Sequence, residues 1–462
     1  MFHFLQNLNN FLYTYIIIAV LIGCGLYFTI RTRGVQFRLF RDSCRLLVSS
    51  GDGKAKGKHV SSFQAFAVSL ASRVGTGNLA GVATAISVGG PGAVFWMWVT
   101  ALLGAATGFV EATLAQLYKR KDKDSFIGGP AYYIEKGLGL RWMAVLSAVL
   151  IIFTFAFGFT SVQCNTIGAA FEHEFGWNHM AVGAVVAVLV CVIIFGGIQR
   201  IARFSAAIVP VMALGYIGLA LVILFMNIGK VPEALRLIVE SAFGIRQAAG
   251  GMVGAAIMQG VRRGLFSNEA GLGSAPNAAA TAHVSHPVKQ GLVQALGVFV
   301  DTLVICTCTA LTILLSGVDF SGGSQGIELT QAAVESQTGA VGSLIVTISL
   351  FFFAFSTIIG DYYYGESNLK FFTRKRSTIM LFRIAVVAVA MAGSCISLSA
   401  AWELSDICMG LSGLCNLVAL LLLSPKVFRV LDDYTRQRKA GVKNPVMPDW
   451  WEETQEISDA EA

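Results

Sequence analysis

Apolar stretches near the length that crosses a bilayer, about 20 residues, recur along this 462-residue chain with polar intervals between them. Eleven can be marked, near residues 11–30, 62–88, 92–118, 142–171, 181–198, 205–227, 249–282, 291–316, 341–368, 377–398 and 404–424. In hydrocarbon every backbone polar group must find its partner within the protein, so segments of this length are predicted to be helices. Two of the eleven are interrupted. Residues 62–88 carry Arg73-Val-Gly-Thr-Gly-Asn78 at mid-length, and residues 249–282 carry a polar, glycine-rich stretch around Arg262–Gly273. Glycine leaves a helix easily, and unwound backbone at membrane depth survives only where it is buried in protein or lines a cavity.

The intervals between the apolar stretches alternate in charge. The interval at 31–59 holds Arg31, Arg33, Arg38, Arg41, Arg45, Lys54, Lys56 and Lys58, and those at 119–141, 369–376 and after Ser424 are also basic. The intervals at 172–180, 228–248 and 317–340 hold only Lys230, Arg236 and Arg246, beside seven acidic residues. Because basic loops stay cytoplasmic, the expected orientation is N-terminus outside and C-terminus inside a cell membrane. Residues 231–243 are too short and too charged to span and are expected to form an amphipathic helix on the outer face. The core is expected to be one membrane domain over 1–430. The tail, 431–462, is expected to be cytoplasmic and partly disordered, because from Asp432 it is polar and lacks an apolar period.

Composition agrees with an all-α polytopic membrane protein in contact with lipid. Hydrophobic residues make up 55% and charged residues 13% of the chain, against about 25% charged in soluble proteins. The net charge of +7 is accounted for by the loops, so no nucleic-acid surface is expected. Nine cysteines, an odd number, fall mostly inside the apolar stretches and read as small fillers. The chain has no His-Glu-x-x-His and no phosphate loop, and its six histidines fall in intervals or at helix ends. No enzyme and no organic cofactor are expected. The oligomeric state is left open.

If residues 11–30 are set aside, ten helices remain, and halves of five (62–227 and 249–424) must have opposite topology. An interrupted helix opens each half. Paired interruptions at corresponding positions are the sequence pattern of an inverted-repeat transporter, with a site between them. Arg262, Arg263 and Glu269 are costly in bare lipid and must face protein or water. They either line a cavity at a broken helix, locking or gating it, or form an ion pair in a re-entrant loop. Glu111 and Asp301 are open to relay, salt-bridge or helix-end roles.

Specific motifs accompany this pattern. Asn268-Glu-Ala-Gly-Leu-Gly-Ser-Ala-Pro276 resembles the signature of the alanine or glycine:cation symporter family. Arg73-Val-Gly-Thr-Gly-Asn-Leu-Ala-Gly-Val-Ala83, Gly89-Gly-Pro-Gly-Ala-Val-Phe-Trp-Met-Trp98 and Gly128-Gly-Pro-Ala-Tyr-Tyr133 match as well. The similarity runs from about Arg31 to near Arg438. It implies the LeuT-type 5+5 inverted repeat with one extra N-terminal helix, and sodium-coupled uptake of small neutral amino acids such as alanine and glycine. Proton coupling through Glu269, Asp301 or Asp361, or a glutamine-type substrate, is the alternative.

The resemblance also implies a site. The N–H groups of Gly75, Thr76 and Gly77 at a new helix start suit a substrate carboxylate, and free carbonyls near the second break, beside Asn268, suit its ammonium. Gln163 is expected either to reach the substrate or to bond between helices. Sodium prefers oxygen, and the LeuT-type pattern points to the carbonyls of Ala71 and Val74 with the hydroxyls of Ser356 and Thr357. Asn78 is the candidate for a second sodium. Asp361 stands where many relatives of this type have tryptophan; it could pair with the ammonium, enlarge the pocket or solvate a vestibule.

Overall fold

The computed structural model describes residues 2–48, 60–122, 125–245, 250–320 and 326–447. Helices occupy all eleven predicted places. We label them α1 (2–31), α2a (Ser62–Arg73) with α2b (Gly77–Gly89), α3 (Gly92–Leu117), α4 (Arg141–Phe175), α5 (His179–Ile194) and α6 (Gly197–Met226). There follow α7a (Gly250–Asn268) with α7b (Ala275–Ala279), α8 (Pro287–Leu315), α9 (Ala340–Phe372), α10 (Arg376–Gly393) and α11 (Leu398–Lys439). Among the described residues, eight helices are long and apolar enough to cross a membrane, and α2b and α5 are shorter apolar helices. Large apolar side chains on α5, α6 and α10, among them Val188, Val211, Leu214 and Leu381, face outward unburied. In water such a surface would aggregate; against lipid tails it is at rest.

Several boundaries differ from the sequence expectation, each for a visible reason. The first helix starts at Phe2, not near 11. Its polar positions turn toward α11, where Asn9 donates to Glu403 (2.6 Å) and the Tyr13 hydroxyl to the Asp406 carbonyl (3.1 Å). The sixth starts at Gly197, whose φ of +69° turns the chain, rather than at 205, with Arg200 and Arg203 exposed on its first turns. The last runs through Pro425 to Lys439, so residues 431–439 belong to it and not to a tail. Val427, Val430, Leu431 and Tyr434 are buried along that extension. The acidic end, 448–462, lies outside the described residues.

The intervals hold structure of their own. The basic interval after α1 contains short helices at Val35–Arg38 and Phe40–Val48, and that after α3 a two-stranded hairpin, β1 (Arg120–Asp122) with β2 (Ser125–Ile127). The expected amphipathic helix is present at Val231–Ala242 and buries Ala234, Ile238 and Ala242, one stripe at i, i+4 and i+8, with the helix packed on α3. A further helix, Ile327–Thr338, occupies an interval read as loop. It packs against α2b, where Thr330 donates to the Leu79 carbonyl (3.2 Å).

Packing sets the two broken helices side by side. Both α7a and α8 pack along α3, while α2a touches α6, α9, α8 and α7b, and α2b touches α7a. The leading half of each broken helix therefore meets the trailing half of the other, so the two run antiparallel with their breaks level. A second set, α4, α5, α9 and α10, packs together around α4 and presents α4 and α9 to the break in α2.

Candidate functional site

At the first break the helix unwinds over Val74 and Gly75, and side chains from three helices take over the freed backbone groups. Gly75 N–H donates to Asn78 Oδ1 (2.9 Å), and Thr76 N–H donates to Gln163 Oε1 on α4 (3.0 Å). A Cβ at Gly75 would overlap Thr357 Oγ1 and stand 3.0 Å from Gln163 Oε1, so only glycine lets α2, α4 and α9 approach this closely. Gly77 is equally confined, 2.8 Å from a ring carbon of Phe266 on the same reckoning. Thr76, Asn78 and Gln163 are all buried. Two of the three N–H groups expected to receive a carboxylate are thus held by Asn78 and Gln163, and the Thr76 hydroxyl has no partner among the described residues.

The unwinding strands carbonyl oxygens at the end of α2a, where the helix dipole is negative. Thr357 Oγ1 lies 2.9 Å from Ala71 O and 3.4 Å from Val74 O, and Ser356 Oγ lies 3.3 Å from Ala71 O. Both hydroxyls also return to the Phe353 carbonyl within α9, at 2.9 and 3.0 Å. All four expected oxygen donors therefore converge, from residues some 285 positions apart, in a fully buried place. Two carbonyls and two hydroxyls carry no formal charge and suit a hard monovalent cation.

The second break spans residues 269–274, later than expected: Arg262 and Arg263 lie within α7a, not in unwound chain. Glu269, Gly271 and Gly273 take positive φ (54°, 93° and 85°). Glu111, on α3, accepts Gly271 N–H (3.0 Å) and Gly273 N–H (2.9 Å), and its Oε1 also accepts Asn416 Nδ2 (2.6 Å). Of the roles open to Glu111, the structure therefore gives it the capping of freed backbone. Asn268 Oδ1 closes its own turn on Ala270 N–H (3.0 Å) beside Gly104 of α3. Its Nδ2 has no partner among the described residues and makes no bond to Gln163.

Arg263 and Glu269 do not pair with each other. Arg263 forms a buried ion pair with Asp406 on α11 and lies over the Trp402 ring, 4.1 Å from its centroid. Trp402 meets Phe266 edge to face at 4.6 Å, and Phe266 stacks on Phe159 at 4.2 Å. Arg262 bonds Asn10 (2.9 Å) and covers Tyr13 of α1. The eighth helix widens to a π-helical turn over Phe299–Cys306, a geometry frequent at functional sites, and this turn carries Asp301. Asp301 accepts from Asn78 Nδ2 (2.5 Å), Ser267 Oγ and Thr302 Oγ1 (both 2.7 Å). Asp361 meets Ser72 (2.6 Å), not Gln163. Ser72 and Ser267 escaped the sequence reading, since a serine in an apolar helix usually bonds back to its own backbone.

Two antiparallel broken helices, with buried oxygen donors and polar side chains gathered at their level breaks, define a membrane transporter of the secondary type. The chain's fold is similar to a crystal structure of a manganese transporter from Eremococcus coleocola. The TM-score is 0.51 at 12% identity, over 86% of this chain and 92% of that one. The sequence model of the Sodium:alanine symporter family matches residues 1–448, and the chain belongs to that family, whose members are transporters and not enzymes. It is 50% identical over 444 residues to the probable sodium/glutamine symporter GlnT of Bacillus subtilis (strain 168), covering 96% of this chain and 92% of that protein. It is 40% identical over 447 residues to the sodium/alanine symporter AgcS of Methanococcus maripaludis, covering 95% and 98%.

Proposed function

We propose that the protein is a sodium-coupled symporter of small neutral amino acids, alanine and glycine, working by alternating access around the two level breaks. The observation that carries this reading is the convergence of Ala71 O, Val74 O, Ser356 Oγ and Thr357 Oγ1 on one buried point. These oxygens would hold the sodium that travels with the substrate. Asn78, bonded to Gly75 N–H through its oxygen, would take part in a second sodium site when the substrate carboxylate is present. The carboxylate would displace Asn78 and Gln163 from the N–H groups of Gly75 and Thr76, joined by Gly77 N–H and the unpartnered Thr76 hydroxyl. Asn268 would contribute its unpartnered amide, and the ammonium would meet carbonyls of the second break, with Asp361 at the pocket's edge.

The same reading takes the fold as a LeuT-type 5+5 inverted repeat, residues 62–227 and 249–424, preceded by one extra helix. The N-terminus lies outside and the C-terminus inside the cell membrane. Burial of every break residue supports an occluded state in which α2, α7 and α9 have closed on one another. Reopening toward one side would part the Arg263–Asp406 pair and the Phe159–Phe266–Trp402 ring cluster. A glutamine substrate is the second reading, favoured by 50% identity to a probable sodium/glutamine symporter and by a carboxylate at position 361. The test is uptake of labelled alanine and glutamine into proteoliposomes under an inward sodium gradient, with the proton gradient collapsed. Alanine accumulation that vanishes when potassium replaces sodium supports the proposal; accumulation of glutamine alone transfers it to the second reading, and no sodium-driven uptake of either overturns both.

A further inference from the structure

The extra first helix and the last helix run side by side in the same direction. Their contacts begin where Asn9 donates to Glu403 and end where the Arg31 guanidinium lies over the Phe428 ring, 5.2 Å from its centroid. Both therefore reach the same end of the protein, and a cavity of about 380 Å³ opens between them there. Arg31, Arg33 and Arg38 line one side of it, and Phe428, Leu431 and Asp432 the other. The second wall exists only because α11 continues past Pro425.

The turn after α1 gathers the three arginines. Arg33 and Gly34 both take left-handed backbone, at φ +56° and +62°, and Gly34 N–H donates back to the Thr29 carbonyl (2.7 Å). The chain then enters the short helix Val35–Arg38, which returns Arg38 to the Thr32 carbonyl, 3.4 Å from its Nη2. A left-handed arginine is strained, and such residues persist where their surroundings over-determine them, often at ligand clamps. Among the described residues, neither these arginines nor Asp432 form an ion pair, whereas Arg438, further along α11, is matched by Asp42 at 2.9 Å. The cavity thus sets three guanidiniums against one carboxylate.

The surface beside the cavity is apolar and unburied. Tyr27 and Ile30 on α1 lead up to it, and Phe37 and Phe40 stand on the short helices that follow. Both phenylalanines meet the Phe299 ring of α8, so this segment lies along the side of the helix bundle. Guanidiniums bond phosphate oxygens two at a time, and basic pockets between membrane helices suit anionic headgroups. We infer that this cavity binds the headgroup of an anionic phospholipid, and that the lipid ties the extra helix to the last one. Arg31, Arg33 and Arg38 hold its phosphate. Asp432 accepts from headgroup hydroxyls, such as those of a glycerol, and the acyl chains lie against Tyr27 and Ile30. A choline headgroup brings a cation of its own and no donor, so it fits three guanidiniums and a carboxylate poorly.

Native mass spectrometry of the full chain in detergent, titrated with phosphatidylglycerol or with phosphatidylcholine, tests it. One phosphatidylglycerol should bind at least about tenfold more tightly than phosphatidylcholine. Arg33→Gly combined with Arg38→Gln should weaken that binding at least about tenfold. Arg41→Gln combined with Arg45→Gln removes the same charge from the same interval outside the cavity, and should leave binding near the unmodified value. Glycine suits the left-handed turn, and six of the eight basic residues at 31–59 remain, so the cavity variant is expected to fold and insert. If it does not, the preference of the unmodified protein between the two lipids and the Arg41 and Arg45 variant still decide. Equal affinity for the two lipids, or equal weakening by both pairs of substitutions, which marks diffuse surface charge, overturns the inference. So does displacement of the lipid by glycerol 3-phosphate at matching concentration, which would make the cavity a site for soluble phosphates.

Discussion

Replacing Glu111 tests how the second break is held. Its carboxylate receives Gly271 N–H, Gly273 N–H and Asn416 Nδ2–H, all buried. A buried donor left without an acceptor costs about 1–3 kcal/mol. Glu111→Ala strands three of them, or roughly 3–9 kcal/mol, a large share of the roughly 5–15 kcal/mol that stabilises a typical protein. Glu111→Gln can keep its oxygen at the Oε1 position, serving Gly273 and Asn416, and turn its amide toward Gly271. One donor is then lost, at about 1–3 kcal/mol. Thermal unfolding of the purified proteins, followed by tryptophan fluorescence, should therefore rank the unmodified chain above Glu111→Gln and Glu111→Ala well below both. Sodium-driven uptake should survive in part in Glu111→Gln. The reasoning is refuted if Glu111→Gln melts with the unmodified protein yet loses all uptake, the behaviour of a proton relay and not of a backbone cap.

Three further outcomes follow from the same geometry. Thr357→Ala removes one of four converging oxygens and should raise the sodium concentration for half-maximal uptake at least about tenfold, the lower end of what losing even an outer-shell partner costs a metal site; Thr357→Ser, which keeps the hydroxyl, should stay near the unmodified value. Gly75→Ala forces a Cβ onto Thr357 Oγ1 and Gln163 Oε1, so uptake should be abolished while the protein still reaches the membrane, as surface labelling and uptake together would establish. Arg263→Ala leaves Asp406 buried without its partner and should cost about 3–5 kcal/mol. Adding Asp406→Asn should recover part of that in the double variant's melting temperature, and simple additivity of the two losses would contradict the pairing.

Much of the fold was legible because membrane helices announce themselves by length and apolarity. The break in α2 was legible because Gly75 and Gly77 stand beside Asn78 in an otherwise apolar run. The family resemblance supplied Ala71, Val74, Ser356 and Thr357, whose convergence no local pattern could have revealed across some 285 residues. The second break was misjudged because Arg262 and Arg263 look like markers of irregular, solvated chain. They remain helical because Tyr13 and Asn10 of α1, and Asp406 and Trp402 of α11, solvate them in place of water. The better signal was Gly271-Leu-Gly273 ahead of Pro276, where positive φ and a helix restart fall together. The last helix was ended at 424, yet it runs on through Pro425 to Lys439, because burial of Val427, Val430, Leu431 and Tyr434 along the extension outweighs the disruption a proline brings to a helix interior. Glu111 gave no sign of its partners, since a carboxylate that caps another helix's broken backbone reads the same in sequence as one that moves protons.

Binding of alanine to the purified protein, titrated calorimetrically in sodium and in potassium, tests the central claim most directly. If both ligands meet at the α2 break, sodium must tighten alanine, alanine must tighten sodium by the same factor, and Thr357→Ala must weaken that coupling. Alanine that binds equally well in potassium, or a coupling untouched in Thr357→Ala, would contradict a sodium site built from Ala71, Val74, Ser356 and Thr357.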